Sequence, residues 1–253
     1  MSERLGKDSD YTLVDGVLRI RDGVKEIPNG SFKHIYPKIE VVIVPPSVKR
    51  IGEDAFSFQD ELEAVVFERA SQSQCTEIGA TAFIGCIRLK QITLPYKLKT
   101  IGNGAFANTG LRFIEIPGTV EKVSLSAFRQ THLHGIIINE GVKYLEIYAF
   151  AILPGQLQTI VIPSTILSIE SGAISHEWIP ENYRDNYYEG VYYRDKELLE
   201  EAKAKPRTQV ITRNPQNTRT ALVTETYEVA MTNDSQEPHI TEEDLFNGFV
   251  IIS

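Results

Sequence analysis

The chain has 253 residues, 42% hydrophobic and 24% charged, which is enough apolar material for a substantial core. Its net charge of −8 argues against nucleic acid or anionic lipid as a general partner, because phosphate recognition rests on clustered Lys and Arg. No apolar run reaches the roughly 18 residues of a membrane span, and residues 1–10 lack the apolar stretch of a secretory signal; an intracellular or virion-associated protein without membrane insertion is expected.

From the N-terminus, residues 11–20 alternate in hydropathy and contain Asp15-Gly16, a hairpin turn signal. Residues 1–22 are read as an N-terminal cap over the first edge of a repeat array that begins at residue 23, with one further coil of the repeat as the alternative.

Residues 23–175 repeat one motif. An apolar–x–x–Ile–Gly step leads to Ala-Phe, then a Leu, then an Ile-rich stretch ending in Pro. The first full copies run Val48, Ile51, Gly52, Ala55, Phe56, Leu62, Val65; then Ile78, Gly79, Ala82, Phe83, Cys86, Leu89, Ile92, Leu94, Pro95; then Leu98, Ile101, Gly102, Ala105, Phe106, Leu111, Ile114, Ile116, Pro117. Looser copies continue through Phe128 and Phe150 to Ala173-Ile174, and an early one passes through Ile27 and Phe32. The phenylalanines at 32, 56, 83, 106, 128 and 150 are separated by 24, 27, 23, 22 and 22 residues, a spacing that fits stacked coils of one solenoid, about seven in number. Ile-x-Ile alternation places two side chains on the inner face of a short strand. Proline then stops the ladder. Glycine after the isoleucine permits a tight corner or a close backbone approach, and the phenylalanine fills the coil and stacks on its neighbours.

This motif resembles the BspA-like (Treponema pallidum-type) leucine-rich repeats, most clearly from Ile78 to Pro95, with Cys86 at the repeat's cysteine position. The resemblance covers about residues 17–175. It implies a right-handed repeat solenoid, a leucine-rich-repeat horseshoe with a parallel β-sheet on the concave face. It also implies an adhesive or protein-binding role without shared catalytic residues, and relatives on microbial surfaces, in protists and in large DNA viruses.

After Ile174 the repeat gives way to a non-repeat C-terminal extension. Residues 176–206 hold Trp178, Tyr183, Tyr187, Tyr188, Tyr192 and Tyr193, read either as a cap over the last coil or as a contact surface. Within them, residues 195–205 are a short helix candidate, acidic early and basic late, that Pro206 ends. Residues 207–253 read as an extended acidic arm with an abruptly apolar terminus containing Phe246 and Phe249, which folds back or docks elsewhere. Residues 176–253 carry 15 acidic and 8 basic side chains against 19 and 18 in residues 1–175, so the two parts differ in kind.

No motif for chemistry stands out. His132-x-His134 lacks a third ligand of suitable spacing, and Gly102-Asn-Gly104 belongs to the repeat rather than to a dinucleotide loop. Cys75 and Cys86 are read as inert thiols, a disulfide between them being the alternative. No enzyme, metal or cofactor is expected. The candidate partner-contacting residues are those between the inward isoleucines, Thr93, Glu115, Ile137 and Val161, together with Trp178, Tyr187, Tyr188, Tyr192, Phe246 and Phe249. Their mixed character fits a protein partner. The expected function is a non-enzymatic protein-interaction module; the alternative is a scaffold or structural subunit of a large assembly, such as a virion, anchored to neighbouring subunits by the arm.

Overall fold

A computed structural model describes residues 10–33 and 38–204. Phe246, Phe249 and the arm lie outside the described residues.

The repeats build a parallel β-solenoid with two walls. One wall is made of the Ile-rich stretches. Val17–Ile20, Val41–Val44, Ala64–Phe67 and Gln91–Ile92 pair in parallel, and so do Phe113–Ile116, Gly135–Ile138 and Thr159–Val161. This long-strand wall falls into two sheets between Gln91–Ile92 and Phe113–Ile116. The break coincides with a shortening of the arc from phenylalanine to leucine, from six residues (83 to 89) to five (106 to 111).

The second wall comes from the apolar–x–x–Ile step, which the motif by itself marks only as a corner. Each coil spends a short strand there. Glu26–Ile27, Arg50–Ile51, Glu77–Ile78, Thr100–Ile101, Lys122–Val123, Tyr144–Leu145 and Ser168–Glu170 pair in parallel without a break. Their second residues, Ile27 through Ile169, point inward and are fully buried.

Between the walls runs one stack of rings. Phe32, Phe56, Phe83, Phe106, Phe128 and Phe150 are all buried, with neighbouring centroids 5.1–5.3 Å apart and planes within 4–10° of parallel. Each phenylalanine amide donates to the alanine carbonyl one coil on, from Phe32 N to Ala55 O through Phe150 N to Ala173 O, at 2.7–2.8 Å. A backbone ladder therefore continues outside the strands and holds the rings in register.

The glycine after the isoleucine serves close approach. A Cβ on Gly52 would lie 2.5 Å from Asn29 N, and one on Gly79 2.6 Å from Glu53 N. In the last two coils glutamate stands at this position, and there the side chain becomes a cap. Glu146 Oε2 accepts the Leu125 amide at 2.9 Å, and Glu170 Oε2 the Ile147 amide at 3.1 Å.

Both ends carry hairpins. Tyr11–Val14 pairs antiparallel with Val17–Ile20 through Asp15 and Gly16, whose φ values of 48° and 80° are those of a tight primed turn. Tyr11 meets the Phe32 ring edge-on at 5.2 Å, ending the stack. At the other end Val191–Tyr193 pairs antiparallel with Ser168–Glu170, and Tyr187–Tyr188 pairs with it in turn. Helix Lys196–Ala204 packs Leu199 against Val191 and Tyr193.

Candidate functional site

Along the long-strand wall the even alternation of Ile-x-Ile turns every second side chain outward. In Phe113–Ile116 the pattern is exposed, buried, exposed, buried. Parallel pairing aligns Glu115 with Ile137 and Val161, and Phe113 with Gly135 and Thr159. The outcome is a surface patch of three adjacent strands with Phe113 50% and Val161 51% exposed and Ile137 half-buried between Glu115 and Val161. Phe113 leans across the next coil: a Cβ on Gly135 would lie 2.9 Å from Phe113 Cδ2, so glycine there leaves room for the ring. Glu115 is held by Asn139, whose Nδ2 donates to Oε1 at 2.8 Å. The patch thus offers an aromatic and an aliphatic anchor beside one oriented carboxylate.

Of the residues expected at this face, Glu115, Ile137 and Val161 share one row. Thr93 is exposed but lies just after Gln91–Ile92, on the other side of the break in the wall. Sequence reasoning missed Phe113, although its place two residues before Glu115 on an alternating strand was the signal that could have found it.

The C-terminal aromatics do not form one surface. Tyr192 is buried, its ring 4.6 Å from Tyr187 and 6.0 Å from His176, and it presents no contact area. Trp178 packs on the core, Tyr188 is half-buried beside Val191 and Leu199, and Tyr187 alone of the four stays 38% exposed.

The opposite wall differs in chemistry. Its outward row begins Glu26, Arg50, Glu77, and Arg50 bridges both carboxylates, Glu26 through Nη1 and Glu77 through Nε at 2.9 Å. Further along, Lys122 pairs with Glu146 at 2.7 Å and Lys143 with Glu121 at 3.0 Å. Docking a partner there would strip water from ion pairs already made.

Other features give little purchase for chemistry. A shallow cleft of about 340 Å³ is lined by Asp22, Lys25, Ser47, Arg69, Gln72 and Gln74, beside the turn Ala70–Gln72 that lengthens the second coil. His132 and His134 are exposed, and His132 Nδ1 lies 3.3 Å from Thr109 O. Among the described residues no group of three His, Cys, Asp or Glu is placed to hold a metal, and no helix is long and apolar enough to cross a membrane. Cys75 and Cys86 are unpaired and buried, and burial pushes their thiols up to about 11 and about 12.

Comparison with known proteins places these features in context. A family model described as a BspA type leucine-rich repeat region matches six copies over residues 17–73 and 70–178. No curated protein matches the chain. Among solved structures, a leucine-rich repeat protein of T. pallidum is 24% identical over 59% of this chain and 77% of its own, with a TM-score of 0.48. One from Bacteroides ovatus is 22% identical over 65% of this chain and 54% of its own, with a TM-score of 0.46. One from Eubacterium ventriosum is 23% identical over 68% and 44%, with a TM-score of 0.45. The chain therefore spans about half the length of the latter two.

Proposed function

The chain belongs to the BspA-type leucine-rich-repeat family, and on that premise we propose that it is a non-enzymatic module that binds a protein through the outward face of its long-strand wall. Proteins of this family are in general non-enzymatic binding modules. The observation that carries the choice of face is the register of Phe113, Glu115, Ile137 and Val161 on three adjacent strands. Protein interfaces favour aromatic anchors and are depleted in Lys and Glu at their centres. The long-strand patch carries an aromatic anchor and only one carboxylate, Glu115, already held by Asn139, whereas the short-strand wall is laced with ion pairs. Burying the exposed parts of Phe113 and Val161 returns free energy at about 25 cal/mol per Å², while the desolvated ion pairs of the other wall roughly break even. Thr93, across the break in the same wall, extends the proposed contact at low energetic weight, whereas Tyr187 belongs to the short-strand sheet and lies apart from it.

The alternative role as an assembly subunit anchored by residues 207–253 rests on residues outside the described ones, and no observation favours it.

The test is partner capture from the native source with purified full-length protein and two exposed-site variants. Phe113→Glu is expected to lose the captured protein and Tyr144→Glu, on the opposite wall, to keep it. Loss with Tyr144→Glu and retention with Phe113→Glu would place binding on the short-strand wall and overturn the reading.

A further inference from the structure

The two walls end differently. The short-strand wall is closed at its C-terminal end by the antiparallel hairpin Tyr187–Tyr188 and Val191–Tyr193, and the long-strand wall is closed at its N-terminal end by Tyr11–Val14. At the C-terminal end of the long-strand wall, Thr159–Val161 pairs with Gly135–Ile138 on one side, and among the described residues no strand pairs on the other. Thr159 N–H donates to His134 O at 3.1 Å, toward the neighbouring coil. By the alternation of a parallel ladder, the Ile160 N–H and C=O then turn to the open edge.

Such an edge is a template for another strand, and proteins usually guard it with Lys, Pro or a covering element. At the N-terminal end of the short-strand wall, the edge strand Glu26–Ile27 carries that guard in Lys25 and Glu26. This one does not. From Ile147 to Ile169, 23 residues and a whole coil, the chain has no Asp, Glu, Lys, Arg or His, although 24% of the protein is Asp, Glu, Lys or Arg. Val161, 51% exposed, lies on the edge strand itself.

The absence of charge says what fits there. Of the net charge of −8, −7 sits in residues 176–253, so two copies repel least where they meet through the solenoid, and this coil is the stretch of it without any charge. An identical strand is also self-complementary across a twofold axis. We propose that two copies associate by antiparallel pairing of their Thr159–Val161 edges, joining the two three-stranded sheets into one of six. With the axis at Ile160, the two Ile160 residues exchange both backbone hydrogen bonds, and Thr159 of each copy stands opposite Val161 of the other on the outward face.

That register gives a charge-swap test on the full chain by sedimentation velocity over a range of protein concentrations. The unmodified protein is expected to show a concentration-dependent monomer–dimer equilibrium. Thr159→Lys with Val161→Lys sets lysine opposite lysine twice and is expected to weaken the dimer about ten-fold. Thr159→Lys with Val161→Glu sets opposite charges together and is expected to restore it. Unchanged circular dichroism and melting temperature in both variants check that the fold is intact. A monomer at every concentration, a dimer indifferent to the lysine pair, or equal weakening by both variants would overturn the proposal.

Discussion

Removing one ring from the middle of the phenylalanine stack tests what holds the solenoid together. Phe106 is fully buried, with Phe83 and Phe128 at centroid distances of 5.3 and 5.2 Å on either side. A phenylalanine buries at least about 150 Å², and at about 25 cal/mol per Å² that is ~4 kcal/mol. Phe106→Ala is therefore expected to cost about 4 kcal/mol, the usual range for such a truncation being 3–5. Phe106→Leu keeps most of the apolar volume and loses the two stacking contacts, so about 2 kcal/mol is expected. Urea unfolding followed by far-ultraviolet circular dichroism reads both values. Because each coil touches only its neighbours, the alanine variant is also expected to loosen the coupling between the halves, broadening the transition or splitting it into two. Phe32→Ala, at the end of the stack between Tyr11 and Phe56, is expected to lower stability while leaving a single transition. A loss below about 1 kcal/mol for Phe106→Ala, the size of an average substitution, would refute the ring stack as the spine of the fold.

The same packing yields two further predictions. Gly79→Ala forces a Cβ to within 2.6 Å of Glu53 N and 2.7 Å of the Gly52 carbonyl carbon, both backbone atoms, so a loss of about 2 kcal/mol or more is expected in the same assay. Gly30→Ala meets nothing within 4 Å and pays only for its φ of +65°, about 1 kcal/mol; equal losses at the two sites would contradict the close-approach account. Cys75 and Cys86 are expected to resist a thiol reagent at pH 8 in the native protein and to react after unfolding, since burial raises both thiols well above that pH; fast native labelling would show the coils to be open there.

The repeat was legible because each of its parts has a distinct side-chain requirement. The phenylalanine spacing foretold the ring stack, and Ile-x-Leu-Pro foretold the long-strand wall and which of its residues face outward. Asp15-Gly16 between alternating stretches foretold the first hairpin. The short-strand wall was not legible as a strand, because pairs such as Arg50–Ile51 are too short to show alternation and owe their extended form to the coils above and below. The C-terminal tyrosines were legible as a cluster and not as individuals. Tyr187 and Tyr192 are five residues apart and in contact, yet one is exposed and the other buried, a distinction made by the antiparallel pairing with Ser168–Glu170 that composition does not encode. The open edge at Thr159–Val161 was hidden for a related reason. It depends on the chain leaving the coil after Ile179, where helix Glu181–Arg184 and the Tyr183 hydroxyl, bonded to Ile166 O at 2.7 Å, redirect it.

The most direct test of the binding face is hydroxyl-radical footprinting of the full chain, alone and with its captured protein partner, read by mass spectrometry at individual side chains. Phe113 on the long-strand wall and Tyr144 on the short-strand wall, both exposed in the free protein, serve as the paired reporters. Protection of Phe113 and Val161 with Tyr144 unchanged is the predicted result. Protection of Tyr144 with Phe113 still reactive would contradict the assignment of the binding face.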